Sequence, residues 1–222
     1  MIDFDMKYFE KYKNIIGLDE AGRGPLAGPV FTAGVFIDNI NDLKLISKVG
    51  SDSKRISEKE REKRYDYIIS NFKYDIFYSN EEIIDEINIF KATNFSMKKN
   101  VKNLNINNAF LMVDGKNFNF DDKFECIVKG DDKSHLVGSA SILAKVARDQ
   151  YMKKLDEKFP EYDFKKHKGY PTKKHIENIL KEGIIKDYRI TFNPIKKFLL
   201  EDKIYYNRNE FSKFRLLKIG LL

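Results

Sequence analysis

One cysteine, Cys126, stands in the 222 residues. No internal disulfide and no cysteine-built zinc site can form, and the expected place of that thiol is a buried strand. No apolar run approaches the ~20 residues of a membrane-spanning helix. The N-terminus, MIDFDMKYFEKYK, mixes acids and bases without a signal-like apolar stretch, so a cytoplasmic protein with no membrane partner is expected. Repeats, low-complexity tracts and glycine-serine linkers are absent as well. Glycines 22, 24 and 28 follow G-x-G-x-x-x-G spacing, no Gly-Lys-Ser/Thr follows them, and Pro25 and Pro29 would disrupt a helix there. Both the P-loop and the dinucleotide fingerprint fail on that pattern. Nor does any histidine stand beside a candidate nucleophilic serine or cysteine, which leaves covalent catalysis with little support.

What is present is an ordinary globular composition, 42% hydrophobic and 34% charged, with a formal net charge of +7 and a pI near 9.1. The length suits one domain, taken as 1–195, with 196–222 as a tail or helical extension that is not an independent domain. The positive balance points to an anionic partner. Between Phe164 and Ile176 lie Lys165, Lys166, Lys168, Lys173 and Lys174, together with His167 and His175, and no acid. This is either a solvated lysine face or a patch that tracks a nucleic-acid backbone, with Tyr170 placed to stack on a sugar or base.

The chain is organised around IIGLDEAGRGPLAGPV, residues 15–30. Ile15, Ile16 and Leu18 read as a buried strand that ends on two adjacent carboxylates, Asp19 and Glu20, followed by a turn of glycines around Arg23. Neighbours on a strand point to opposite faces, so if both acids serve one site Glu20 must leave the regular strand at a bulge or in the turn. Further strands are expected at Val30–Ile37, Tyr74–Ser79, Ala109–Val113 and Phe124–Val128. Residues 38–56 read as a polar connection. Helices are expected after the Ser57/Glu60 capping box, after Asn88, from about Leu136 to Phe159, from Thr172 to Gly183, and from Pro194. The fold class is therefore α/β, with a five-stranded mixed sheet flanked by helices. Three strands should be antiparallel, and the two later ones should run parallel to the first through helical crossovers.

Three of these strands end in carboxylates: Asp19 with Glu20, Asp114, and Asp131. Parallel neighbours would open all three ends on one sheet edge. Four acids gathered there would repel one another unless hard divalent cations such as Mg²⁺ or Mn²⁺ sat among them. Two such ions about 4 Å apart can activate a water and stabilise the leaving oxygen of a phosphodiester. Any one of these acids alone also fits a solvated turn.

Six segments, GLDEAGRGPLAGPV, SDSK, LMVDGK, VKGDDKS, SASILAKVARD and HKGYPT, together resemble bacterial ribonuclease HII, in that family's order and from roughly Ile15 to Pro194. The resemblance implies an RNase H-like fold with a helical C-terminal portion. It also implies a metal-dependent endonuclease that cuts the RNA strand of RNA–DNA hybrids and the 5′ side of single ribonucleotides in duplex DNA, leaving 3′-hydroxyl and 5′-phosphate ends. By motif, Asp19, Glu20, Asp114 and Asp131 would be the catalytic acids and the ligands of two Mn²⁺ or Mg²⁺ ions. Gly22, Arg23 and Gly24 would read the 2′-hydroxyl through their backbone, and Tyr170 would pack on the junction sugar. Ser53, Lys54, His167 and Lys168 would contact phosphates, with ordinary surface lysines as the plainer reading of Lys54 and Lys168. Asp149, inside the long helix, suits a structural salt bridge better than a ligand.

A monomer is the default, with clamp binding through the tail left open. The related type HIII enzymes carry an extra N-terminal substrate-binding domain, for which the short leader leaves no room. A pure nucleic-acid-binding module would gain nothing from acids facing phosphates. A resolvase or integrase of the same fold would leave the GRG turn and Tyr170 unexplained.

Overall fold

The structure is a computed structural model and describes residues 1–49 and 56–222. Its chain separates into two compact units. The first comprises Met1–Ala21, Phe31–Tyr78 and Thr93–Ala147; the second comprises Gly22–Val30, Ser79–Ala92 and Arg148–Leu222.

The first unit is built on a five-stranded sheet in the order β3-β2-β1-β4-β5. β1 (Ile15–Ala21) runs through its middle, antiparallel to β2 (Val30–Ile37) and parallel to β4 (Phe110–Asp114). β5 (Phe124–Ile127) continues the parallel half beside β4, and β3 (Lys73–Ser79) forms the opposite edge. A central strand with neighbours on both sides is covered on both faces; Ile15, Ile16 and Leu18 have no exposed surface. The mixed sheet is the one that the apolar runs predict, with one difference. The link from β4 to β5, residues 115–123, contains no helix. Phe118 and Phe120 are buried along it, and two anchored aromatics let a short irregular crossover do what a helix was expected to do.

Helices flank this sheet. α1 (Ile2–Tyr12), in a leader that sequence reading left unassigned, stacks Tyr8 and Tyr12 on Phe110 with ring centroids 5.5 and 3.9 Å apart. α2 (Ile40–Ile46) replaces part of the expected polar connection: Asn39 caps it by accepting the Asp42 N–H, and Leu43 and Ile46 are fully buried. α3 (Glu58–Asn71) begins as the capping box predicts, with the Ser57 hydroxyl accepting the Glu60 N–H at 3.2 Å. α4 (Glu81–Ile87) belongs to the second unit. α5 (Ile89–Leu104) follows Asn88, whose side chain accepts the Lys91 N–H at 3.1 Å.

A single turn, α6 (Gly130–Lys133), precedes the longest helix, α7 (His135–Lys158). The small residues at the start of α7 let it lie close to the sheet. A Cβ on Gly17 of β1 would stand 2.7 Å from the Leu136 carbonyl carbon, so only glycine fits there. At the head of α7, the Asp5 carboxylate of α1 accepts the His135 N–H at 2.8 Å. Burial raises that carboxyl to about 6.

In the second unit, Leu26, Met152, Tyr162, Phe164, Ile179 and Tyr188 form the centre of an apolar core. Around it stand α8 (Phe164–His167), α9 (Lys173–Glu182), α10 (Ile195–Leu200) and α11 (Lys213–Ile219). Thr172 caps α9 as predicted, and Gly183 ends it at φ 79°. The tail, whose scattered apolar residues had no assignable place, inserts Ile204, Phe211, Leu216 and Ile219 into the same core. It is fixed further by an ion pair without solvent exposure, Arg215 to Asp85 of α4 at 2.8 Å.

Candidate active site

The acids assemble in the first unit. Asp19 pairs across the ladder with Ala33 and Glu20 with Thr32, so β1 stays regular through Ala21. The expected bulge at Glu20 does not occur. β2 extends as far as Phe31 and supplies ladder partners for the whole acidic pair. The two acids are consecutive in the ladder, and their charges still act on one another. They remain linked through the backbone, the Glu20 N–H donating to Asp19 Oδ1 at 2.7 Å.

Parallel pairing of Leu18 with Val113 brings the next residues, Asp19 and Asp114, level on adjacent strands. Asp114 in turn pairs with Ile127 and accepts the Gly130 N–H at 2.6 Å. Asp131 does not end a strand as expected. β5 stops at Ile127, and Asp131 lies in the first turn of α6, where Gly130 leads it back toward Asp114; it is 4% exposed.

Asp19 is also 4% exposed, and its carboxyl is held well above the usual carboxylate range. Burial is the largest cause, followed by the negative charges of Glu20 and then Asp114, while hydrogen bonds from Ser141 and the Glu20 amide oppose them. Glu20 thus acts on Asp19 more strongly than Asp114 does. Among the described residues, no three acid, histidine or cysteine side chains surround a common point as a closed metal cage would. The donors are nonetheless the hard oxygens that Mg²⁺ and Mn²⁺ prefer, and Mg²⁺ is ordinarily held by one or two carboxylates with several waters retained. The mutual repulsion at Asp19 is what a cation would relieve, so the residues fit such an ion.

The glycine-rich turn belongs to the second unit, where two buried arginines grip it. Arg189, with no exposed surface, donates from Nη2 to Gly22 O at 2.7 Å and from Nη1 to Arg23 O at 3.1 Å. Gly28 O accepts from both Nε (2.9 Å) and Nη2 (2.6 Å). Arg148 donates to Pro29 O, Ala27 O and Lys168 O at 3.2, 3.3 and 2.9 Å. Burial, and then the charge of Arg148, lower Arg189 to about 9, so it is still a cation at neutral pH. Sequence reading missed both residues as part of the site. Arg148 lies inside a quoted motif but on a helix. The only local sign for Arg189 is a charge within the otherwise apolar YRI, and its carbonyl partners are more than 160 positions away.

Gly22 adopts φ +95°, and a Cβ on it would fall 2.1 Å from Arg148 Nε. Gly22→Ala should therefore cost about 1–3 kcal/mol, the scale of a residue forced into a sparse backbone region. An unchanged thermal melt would refute that close fit.

Tyr170 is 47% exposed, lies beside Gly24, and carries the Arg148 guanidinium 5.9 Å from its ring centre. Lys168 is half-buried in a left-handed conformation, its carbonyl held by Arg148.

His167, expected on a phosphate, is buried instead. Its Nδ1 accepts the Gly169 N–H at 3.1 Å and its Nε2 lies 2.7 Å from Tyr162 O, so Nε2 carries the proton and the ring is neutral. It stacks on His175 at 4.0 Å, and His175 Nδ1 donates to Tyr170 O at 2.9 Å. Burial lowers both imidazoles, His175 to about 4. The pair braces the Tyr170 segment from beneath. Lys165 and Lys166, in a stretch without acids of its own, pair with Asp156 and Asp163 just upstream. Ser53 and Lys54 lie outside the described residues. Cys126 is only half-buried, on the edge strand β5.

A family model described as Ribonuclease HII matches residues 16–197. The chain is 38% identical to a ribonuclease HII of Thermotoga maritima over 217 residues, covering 97% of this chain and 89% of that protein. Among solved structures, ribonuclease H2 from Pyrococcus horikoshii superposes with a TM-score of 0.73 at 24% identity, over 85% of this chain and 98% of that one. Bst-RNase HIII in complex with Mn²⁺ gives 0.67 at 15% identity, over 85% and 70%. These structures share the RNase H-like fold, and the sequence match goes further: the chain belongs to the ribonuclease HII family.

Proposed function

We propose that this chain, by family a hydrolase of the RNA in RNA–DNA hybrids, is a divalent-metal-dependent endonuclease that also incises 5′ of single ribonucleotides in duplex DNA. Cleavage leaves 3′-hydroxyl and 5′-phosphate ends, and the work is ribonucleotide removal in the cytoplasm. The observation that carries the reading is the buried Asp19 carboxyl, raised by burial and by the charges of Glu20 and Asp114. A site that concentrates negative charge without a cation would repel a phosphodiester.

Asp19, Glu20, Asp114 and Asp131 would hold Mg²⁺ or Mn²⁺, as two ions once the substrate is bound. These ions would supply a water acidic enough to attack and charge stabilisation for the departing oxygen. The backbone of Gly22, Arg23 and Gly24 would bond the 2′-hydroxyl, the one group that distinguishes the ribonucleotide. Tyr170, exposed and braced by the histidine pair, would pack on the sugar beside it, and Lys168 would meet the phosphate backbone. His167, with both ring nitrogens engaged, is withdrawn from the phosphate-contacting set and assigned to holding Tyr170.

The test is a duplex with one embedded ribonucleotide, incubated with Mg²⁺ or Mn²⁺ beside an all-DNA control, with the cut mapped to the nucleotide. Cleavage on the 5′ side of the ribonucleotide, absent from the control and abolished by chelation, is the expected result. Cutting of the control, or cutting that persists without divalent ions, would overturn the reading.

A further inference from the structure

We propose that Arg189 is a positioning residue that sets the sugar-reading loop, turning the N–H groups of Arg23 and Gly24 outward as the donors for ribose recognition. The inference rests on the reading of Gly22, Arg23 and Gly24 as the 2′-hydroxyl sensor.

Peptide geometry carries the argument. In a trans peptide the C=O and the next residue's N–H lie in one plane and point in opposite directions. The single cis bond among the described residues is Asn193–Pro194, so both peptides of the turn are trans. Arg189 holds Gly22 O and Arg23 O, and the N–H groups of those two peptides belong to Arg23 and Gly24. With the carbonyls drawn to one buried guanidinium, both N–H groups must point away from it. Two successive donors then face the same side, on residues one of which has no side chain to screen them.

The clamp is suited to hold that arrangement. A guanidinium is a planar fork with fixed donor directions, and three carbonyls, those of Gly22, Arg23 and Gly28, are distributed around this one. The base of the fork is itself fixed. The Arg189 N–H donates to Leu26 O at 2.8 Å, and the Gly28 N–H donates to Asp187 O at 2.9 Å. Downstream, Asp85 accepts the amides of Ile190 and Thr191, both at 3.1 Å, which pins the strip that carries Arg189. A lysine would keep the charge but could not reach three carbonyls in fixed directions.

The experiment measures affinity, without divalent ions so that nothing is cut, for a duplex with one ribonucleotide and for the same duplex made wholly of DNA. The ratio of the two dissociation constants cancels any unfolded fraction. Wild-type protein should prefer the ribonucleotide. Arg189→Lys and Arg189→Met should each lower that preference about tenfold, the scale of one well-made hydrogen bond or two weaker ones. Leu216→Ala, which empties core volume elsewhere in the unit, should lower the melt and keep the ratio.

Full preference in either Arg189 variant would overturn the proposal, and rescue by lysine would show that only charge mattered. Absence of preference in the wild type would instead overturn the reading of the loop itself. Should neither Arg189 variant fold, amide hydrogen exchange on the wild type decides. The Arg23 and Gly24 amides should gain protection with the ribonucleotide duplex and not with the DNA duplex; equal protection by both would end the proposal.

Discussion

Asp19→Asn should make the protein more stable and nearly inactive. The wild-type carboxyl is buried and repelled by Glu20 and Asp114. Asparagine removes the charge yet keeps a carbonyl oxygen for the Glu20 N–H that Oδ1 now accepts at 2.7 Å. Turnover should fall at least about a hundredfold, the scale of removing one preorganised electrostatic group. The melting temperature should rise by about 2–4 °C for every kcal/mol of repulsion relieved in a chain of this size.

The pH dependence follows from the direction of the shift. A carboxyl whose folded pKa lies above its unfolded value of 3.8 favours folding below that value, and this contribution is lost as the pH rises through the folded pKa. The advantage of asparagine should therefore grow as the pH rises and vanish in acid. Added Mg²⁺ should raise the wild-type melt and leave the variant nearly unmoved. A variant that melts lower than wild type at pH 7 would contradict the electrostatic account, and one that still cleaves at the wild-type rate would remove Asp19 from the site.

Asp85→Asn should cost about 3–5 kcal/mol, the penalty for leaving one partner of a buried ion pair uncompensated. Asp85 is buried and receives four hydrogen bonds, from Arg215 Nε, the amides of Ile190 and Thr191, and the Thr191 hydroxyl at 2.5 Å, with Arg215 Nη2 in ion-pair contact beside them. Arg215 also donates to the carbonyls of Lys186 and Tyr188. Urea unfolding gives the cost directly. Replacing both partners by apolar residues, Asp85→Leu with Arg215→Met, should recover part of it, because desolvating the pair is itself expensive. A loss below about 1 kcal/mol for Asp85→Asn alone would show that the pair is not what fixes the tail.

The features legible in the sequence were those whose cause is local. Apolar runs marked the five strands. Ser57, Asn88 and Thr172 announced helix starts because a cap acts within three residues of itself. The acids and the glycine turn were visible as residue types with few other uses. What escaped was decided by partners distant in sequence. Glu20 stays in the ladder because β2 happens to reach Phe31, and nothing between residues 15 and 24 encodes that. The histidines of a lysine-rich stretch turned inward because Tyr162 and Tyr188 offered them partners. Arg189 and Arg215 carry charge in segments that read as irregular connections, and their burial is explained by distant partners, converging carbonyls for Arg189 and the Asp85 carboxylate with two carbonyls for Arg215. α2 was hidden by its polar residues, since two buried positions in seven leave too short a pattern to read.

The hydrogen bond from the His135 amide to Asp5 ties the beginning of the polypeptide to the head of its longest helix. A helix start has amides with no partner within the helix, and here one is satisfied from 130 positions upstream. The opening dozen residues are thus a fastening for the scaffold beneath Asp19 and Asp114, and a fusion or trimming that disturbs them would loosen the framework of the proposed site while touching none of its acids.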